Sequence, residues 1–295
     1  MPKARKARTI VETERGASAA YANPDLESGI MNYGEASYKM TGSIIYGPVP
    51  SWRLGRSLGI DLVSAKVKAC SFNCIYCQLG NTARPITEPR EFVSLEELAE
   101  AIQPARQIQA DYATFSGMGE PTLASNLGKA IGMVKSALDL PVAVLSNSSL
   151  LYRKDVRQQL VDADAVILKL DAADEEVFST VNRPAPGLRF DQIVEGIKRF
   201  RDEYNGKLAL QIMFVEANKD CAVEIAALAA EISPHEVQIN TPLRPSRVKP
   251  LSPHEILLIR REFSNFENVV TVYEVPKFEV MPLDLAEVLR RRPTL

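Results

Sequence analysis

Cys70, Cys74 and Cys77 lie in the run Cys70-Ser71-Phe72-Asn73-Cys74-Ile75-Tyr76-Cys77, a C-x3-C-x2-C spacing that gathers three of the chain's four cysteines into eight residues. A tight loop can turn such thiolates toward a single iron–sulfur cluster, and a cubane normally takes four cysteines. Three ligands leave one iron open. An open metal position is where a substrate or cofactor binds and reacts, so the spacing points to a catalytic cluster rather than a structural one. A zinc site would need a fourth ligand, and the only histidines, His235 and His254, are distant and lack an H-x3-5-H partner. Three clustered cysteines plus an isolated Cys221, with no secretory signal, suit a reducing cytoplasm rather than disulfides.

A second constellation follows the strand-like Tyr112-Ala113-Thr114-Phe115: Ser116-Gly117-Met118-Gly119-Glu120-Pro121-Thr122-Leu123. Gly117 and Gly119 allow close backbone approach and positive φ around Met118, and Pro121 fixes the turn before a helix. Further polar residues fall at the ends of other strand-like runs. They are Ser146 and Asn147, Lys169 and Asp171, and Asn240, Thr241 and Arg244. Gln211 is the one polar interruption of an apolar run.

The elements that must position these residues alternate. Strand-type runs are expected over 59–63, 112–116, 142–146, 165–170, 208–214 and 237–240, with helix-period segments over 95–109, 123–138, 153–162, from 175, over 190–204 and over 221–232. That alternation predicts a parallel sheet with crossover helices, an α/β fold of six βα repeats forming a partial TIM-type barrel, with its functional face at the C-terminal ends of the strands. Every motif above sits at such an end. Residues 1–40 read as an N-terminal arm carrying Lys3, Arg5, Lys6 and Arg8, 41–245 as the core, and 246–295 as a short α+β extension with a capped helix from Ser252, a β-like 269–275 and a helix near 283–291. The segment from Tyr46 to Leu62, punctuated by Gly47, Pro48, Pro50 and Gly55, fits neither period and reads as an ordered loop.

The C-x3-C-x2-C run with Tyr76 before its last cysteine, together with G-M-G-E-P at 117–121, resembles the radical S-adenosylmethionine (SAM) superfamily. G-P-V-P-S-x-R-L-G-R-S-L-G-I-D-L before the cysteines, then K-L-D-A-A-D-E-E-V-F, N-R-P and Q-I-N-T-P, narrow the likeness to an uncharacterised branch grouped with the wyosine-tRNA synthases. Met118 replaces the second glycine of the commonest G-G-E-P form, and Trp52 stands where the pattern has a basic residue. The resemblance implies a [4Fe-4S] cluster on Cys70, Cys74 and Cys77. It implies SAM contacts from Tyr76, Gly117, Met118, Gly119, Glu120, Pro121, Ser146, Asn147, Asp171 and Gln211, with Glu120 meeting the SAM ammonium. It also implies an electron donor such as flavodoxin or ferredoxin.

For the substrate, Arg53 and Arg56 form the pair to look for at the barrel mouth, beside Lys169, Asn240 and Arg244. The alternative for the arginine pair is a surface loop bridging to Asp or Glu. Kinship with wyosine synthesis, the G-M-G-E-P spelling and the basic arm favour RNA. A net charge of −2 over 295 residues gives no global attraction to nucleic acid. A small metabolite needs only the barrel mouth, a peptide substrate would call for a peptide-binding wing, and a non-enzymatic iron–sulfur scaffold would leave Glu120 without a task. No run approaches the roughly 20 apolar residues a membrane helix needs, so a cytoplasmic protein is expected.

Overall fold

Residues 142–146, Val-Ala-Val-Leu-Ser, are apolar on both sides, as a strand packed between helices and a filled lumen must be. They form β4 of a sheet comprising β1 (Ile45–Ser51), β2 (Gly55–Ile60), β3 (Tyr112–Phe115), β4 (Val142–Ser146), β5 (Ala165–Lys169), β6 (Lys207–Met213), β7 (Glu236–Asn240) and β8 (Val269–Thr271) in a computed structural model that describes residues 43–64, 67–274 and 279–294. The basic arm expected over 1–40 lies outside those residues. The strands pair in chain order, β1 with β2 antiparallel and β2 through β8 parallel. Among the described residues β1 and β8 do not pair, so the sheet curls into a partial barrel.

The two faces of the sheet differ as a barrel requires. Val144, Val166, Leu168, Leu208, Leu210, Val237 and Ile239 face outward into one large core with the helices α1 (Leu95–Ile102), α2 (Leu127–Leu138), α3 (Lys154–Leu160), α4 (Glu175–Val181), α5 (Phe190–Glu203), α6 (Ala222–Ile232) and α7 (Pro253–Glu262). The alternate residues Ala143, Ala165, Ile167 and Ala209 face inward, where they meet Leu54. These small side chains leave room for a chain segment to enter the lumen.

That segment is the first departure from the sequence reading. The stretch read as an ordered loop is a hairpin, β1 and β2, whose connection Trp52-Arg53-Leu54 tucks Leu54 against the inward alanines. Proline at 48 and 50 and a bulge between Tyr46 and Val49 hide its period; an edge strand tolerates all three because its outer backbone groups need no ladder partner. A second departure is that helix α2 begins at Leu127 rather than 123, because Pro121 opens a separate short 3-10 turn, Pro121–Leu123. The helix expected over 95–109 likewise tightens to a 3-10 turn from Gln103, where Pro104 supplies no amide. Beyond residue 245 the chain continues the same architecture: α7, started by a Ser252–Glu255 capping box, crosses over to β8, which adds a seventh parallel strand beside β7. No helix among the described residues is long and apolar enough to cross a membrane.

The last helix, α8 (Leu285–Arg291), returns to the first strands. Arg291 is 2% exposed. Its Nε donates to Asp61 Oδ2 at 2.9 Å, and its guanidinium lies 4.6 Å from the centre of the Tyr46 ring. Removing one member of such a buried pair strands the other charge at a cost of about 3 to 5 kcal/mol. Arg291→Met is therefore expected to lower the urea midpoint of unfolding sharply, and an unchanged midpoint would mean that the pair contributes nothing.

Candidate active site

The cysteine loop leaves β2 and is pinned from two sides. Ala69 donates its N–H to Met118 O at 3.0 Å and accepts from Glu120 N at 2.9 Å, so the chain entering the loop runs alongside the Gly117–Glu120 segment. A side chain on Gly119 would begin 1.7 Å from Ala69 O, which is why glycine stands there. Gly117 is equally constrained, since its missing Cβ would fall 2.1 Å from the Asp61 carboxylate that accepts Met118 N–H at 3.0 Å. On the other side Asn73 N donates to Asn182 and Arg183 carbonyls and Ile75 N to Val181 O.

Around the thiols the structure places amide donors. Asn147 Nδ2 lies 3.4 Å from Cys70 Sγ, Phe72 N 3.5 Å from the same sulfur, and Asn182 Nδ2 3.6 Å from Cys74 Sγ. Burial pushes the Cys70 thiol up to about 12 and raises Cys74 as well. Thiolates form at such sites when a bound cation offsets the lost solvation, and metal binding then releases protons. Among the described residues no three His, Cys, Asp or Glu side chains converge on a point that would hold a single metal ion. A cubane asks for something else, three thiolates each reaching a different iron.

Glu120 is 2% exposed and makes four hydrogen bonds. Its Oε1 accepts from Ser146 Oγ (2.7 Å), Thr122 Oγ1 (2.7 Å) and Thr122 N (3.1 Å), and its Oε2 from Asn147 N (2.7 Å). Burial still raises its carboxyl above the ordinary range, and among the described residues no cation pairs with it. A desolvated carboxylate with a lone pair left on Oε2 is poised to accept from a cationic ligand. Ser146 and Asn147 therefore serve Glu120 and Cys70 directly; neither caps α3, whose N-terminal flank is Arg153 without a side-chain cap.

A second buried carboxylate organises the opposite side. Asp171 accepts from the Tyr76 hydroxyl, from Asn182 Nδ2 at 2.8 Å and from Met213 N at 2.7 Å, and Lys169 Nζ lies 3.8 Å away over the Tyr76 ring. Asp171 thus ties the cysteine loop to the ends of β5 and β6, and its carboxylate is fully engaged. Asn182, touching Asp171, Tyr76 and Cys74, was given no role from sequence; its signal was the N-R-P run at 182–184.

Residues 66–229 match the radical SAM superfamily. The chain belongs to that superfamily. Within it, the UPF0026 protein of Methanocaldococcus jannaschii is 37% identical over 235 residues, covering 77% of this chain and 72% of that protein. A UPF0026 protein of Synechocystis sp. is 38% identical over 208 residues, covering 70% and 77%. Among solved structures, anSMEcpe with bound AdoMet matches with a TM-score of 0.56 at 17% identity, over 74% of this chain and 64% of that one. Streptococcus suis SuiB gives 0.55 at 15% over 72% and 48%, so this chain spans about half its length. Archaeal TYW1 gives 0.50 at 15% over 70% of each chain. These structural likenesses concern the fold, the partial barrel described above.

In this radical SAM enzyme the residues expected at the substrate mouth divide. Lys169, Gln211 and Gln238 stand in one register across β5, β6 and β7 on the inner face, and Asn240 lies one inward position further along β7, opposite Met213. Arg53 and Arg56 do not form a pair. Arg56 is bound to Asp111 at 2.7 Å at the N-terminal end of β2, away from the cysteine loop, which corrects its placement at the mouth in favour of the surface ion pair. Arg53 lies in the hairpin connection beside the inward-packed Leu54, and burial, then the charges of Arg292 and Arg244, lower the pKa of its guanidinium. Cys221 ends a 3-10 turn before α6 and packs half-buried against the core, its thiol raised by burial.

Proposed function

We propose that the protein holds a [4Fe-4S] cluster on Cys70, Cys74 and Cys77, binds SAM beside it, and directs hydrogen abstraction from a substrate in the barrel lumen. The observation that carries this reading is Asn147. It donates its backbone N–H to the buried Glu120 carboxylate and its side-chain amide to Cys70 Sγ, joining a cysteine of the loop to a carboxylate that no cation pairs with among the described residues. When bound, the reduced cluster would supply the electron that cleaves SAM to methionine and a 5′-deoxyadenosyl radical.

The protein's own part is binding, orientation and exclusion of water. Glu120 Oε2 accepts the SAM ammonium. Gly117, Met118 and Gly119 offer backbone along the SAM methionine group, and Pro121 turns the chain away from it. Asp171 and Asn182 hold Tyr76 and Cys74 in place. Lys169 and Asn240 line the lumen where the substrate enters, and Gln211, in register with Lys169, faces SAM. We assign the reaction to the reducing cytoplasm, with a flavodoxin or ferredoxin as electron donor.

For the substrate we favour RNA over a small metabolite. The support is the G-M-G-E-P spelling together with Arg244, which reaches Gln78 beside the cysteine loop and suits a phosphate-bearing molecule. A strain lacking the protein should lose one modified nucleoside from digested RNA, read by mass spectrometry. An unchanged nucleoside profile with a shifted phosphorylated metabolite would move the assignment to the small-molecule class.

A further inference from the structure

We propose that Arg53, Arg244 and Arg292 form a phosphate-binding subsite between the β1–β2 hairpin and the cysteine loop that holds the substrate by a phosphate group. The inference rests on the reading of the lumen as the substrate chamber, and it adds the group that is recognised and the residues that recognise it.

The three arginines come from distant segments. Arg53 lies in the hairpin connection, next to Leu54, which is packed on inward-facing Ala143, Ala165 and Ala209. Arg292 follows α8, and its Nη2 donates to Pro50 O at 3.1 Å on the same hairpin. Arg244 follows β7, and its Nη1 donates to Gln78 Oε1 at 3.1 Å. Gln78 directly follows Cys77, and its own amide donates to Arg291 O at 2.6 Å. The cluster loop, the hairpin and the C-terminal segment are thereby drawn together around these side chains.

None of the three pairs with a carboxylate among the described residues. Arg53 Nε is buried without a hydrogen-bond partner, and so is Gln238 Oε1 on the neighbouring inner face of β7. Glu236, the carboxylate within range of Arg53, is already engaged by Lys207 at 2.7 Å and Gln238 at 2.6 Å. Burial first, and then mutual repulsion, pull the guanidinium of Arg53 down to about 9 and that of Arg292 to about 10. The Trp52 ring, 4.9 Å from the Arg53 guanidinium, offers it a face to stack on.

Several half-buried cations with unused donors call for an anion of more than one charge. A single carboxylate supplies one charge and two oxygens. A phosphate supplies up to two charges and a tetrahedral set of acceptors that several guanidinium forks can share.

The test is a calorimetric titration of the full chain, without iron or SAM, at constant ionic strength. The probes are inorganic pyrophosphate, acetate, citrate and a short RNA lacking terminal phosphates. Pyrophosphate should bind, and Arg244→Gln and Arg53→Gln should each weaken it by about tenfold or more. Arg56→Gln should leave it unchanged. Circular dichroism checks each variant; if Arg53→Gln fails to fold, Arg244→Gln, in a loop, carries the comparison. RNA binding with the same arginine dependence would support the subsite and make the RNA backbone the source of the phosphate. Pyrophosphate binding without it would support a small phosphorylated substrate. Phosphate affinity indifferent to Arg53 and Arg244, citrate binding tighter than pyrophosphate, or no binding of either phosphate probe would overturn the proposal. Because the titration needs neither cofactor, its failure leaves SAM cleavage standing, and failure of SAM cleavage leaves the subsite standing.

Discussion

Reconstituted anaerobically with iron and sulfide, the wild-type chain should bind about four irons, and Cys70→Ala, Cys74→Ala and Cys77→Ala should each bring the cluster content close to zero. Each variant removes one of the three thiols that the loop supplies, whereas Cys221 stands outside the loop, in the 3-10 turn before α6, and packs half-buried against the core. Cys221→Ala should therefore load normally. Iron content and the visible absorption band read the result, and a Cys74→Ala protein that kept its cluster would remove the loop from the site.

Glu120→Ala should weaken SAM binding by about 2 to 4 kcal/mol, the cost of leaving a buried ammonium without its charged acceptor. That is roughly a 30- to 1000-fold rise in the dissociation constant. Iron content should stay near the wild-type value, because Glu120 reaches the cluster loop only through backbone and Asn147 contacts. Isothermal titration with unaltered SAM affinity would take Glu120 out of the binding site. A loss of iron together with SAM affinity would instead mean that its four hydrogen bonds hold the loop itself.

Much of this geometry was legible in the sequence because it is local. The cysteine spacing, the glycines before Glu120 and the strand-helix alternation are each written within a few residues, and β3 and β4 fall where their apolar runs begin. What escaped was relational. Ser146 and Asn147 stand in the sequence only as polar residues at a strand end, and the approach of β3 to β4 is what brings them around Glu120. Asp171 pairs with its strand neighbour Lys169 at 3.8 Å, but the bonds its carboxylate accepts from Tyr76, Asn182 and Met213 come from tertiary packing that no local pattern displays. Arg53 and Arg56 are three residues apart, and no local rule says that a hairpin turn buries the Nε of one against no partner and sends the other to Asp111. Arg291 and Arg292 meet residues more than 200 positions away, at Asp61 and Pro50, a closure that no window of sequence can display.

The central claim is that this chain cleaves SAM reductively. The most direct measurement is chromatography of the products formed when the reconstituted protein receives dithionite and SAM without any substrate. Slow formation of 5′-deoxyadenosine and methionine in equal amounts is the predicted result, absent from the Cys74→Ala protein. A cluster that is loaded, reducible and SAM-binding yet yields no 5′-deoxyadenosine would contradict it.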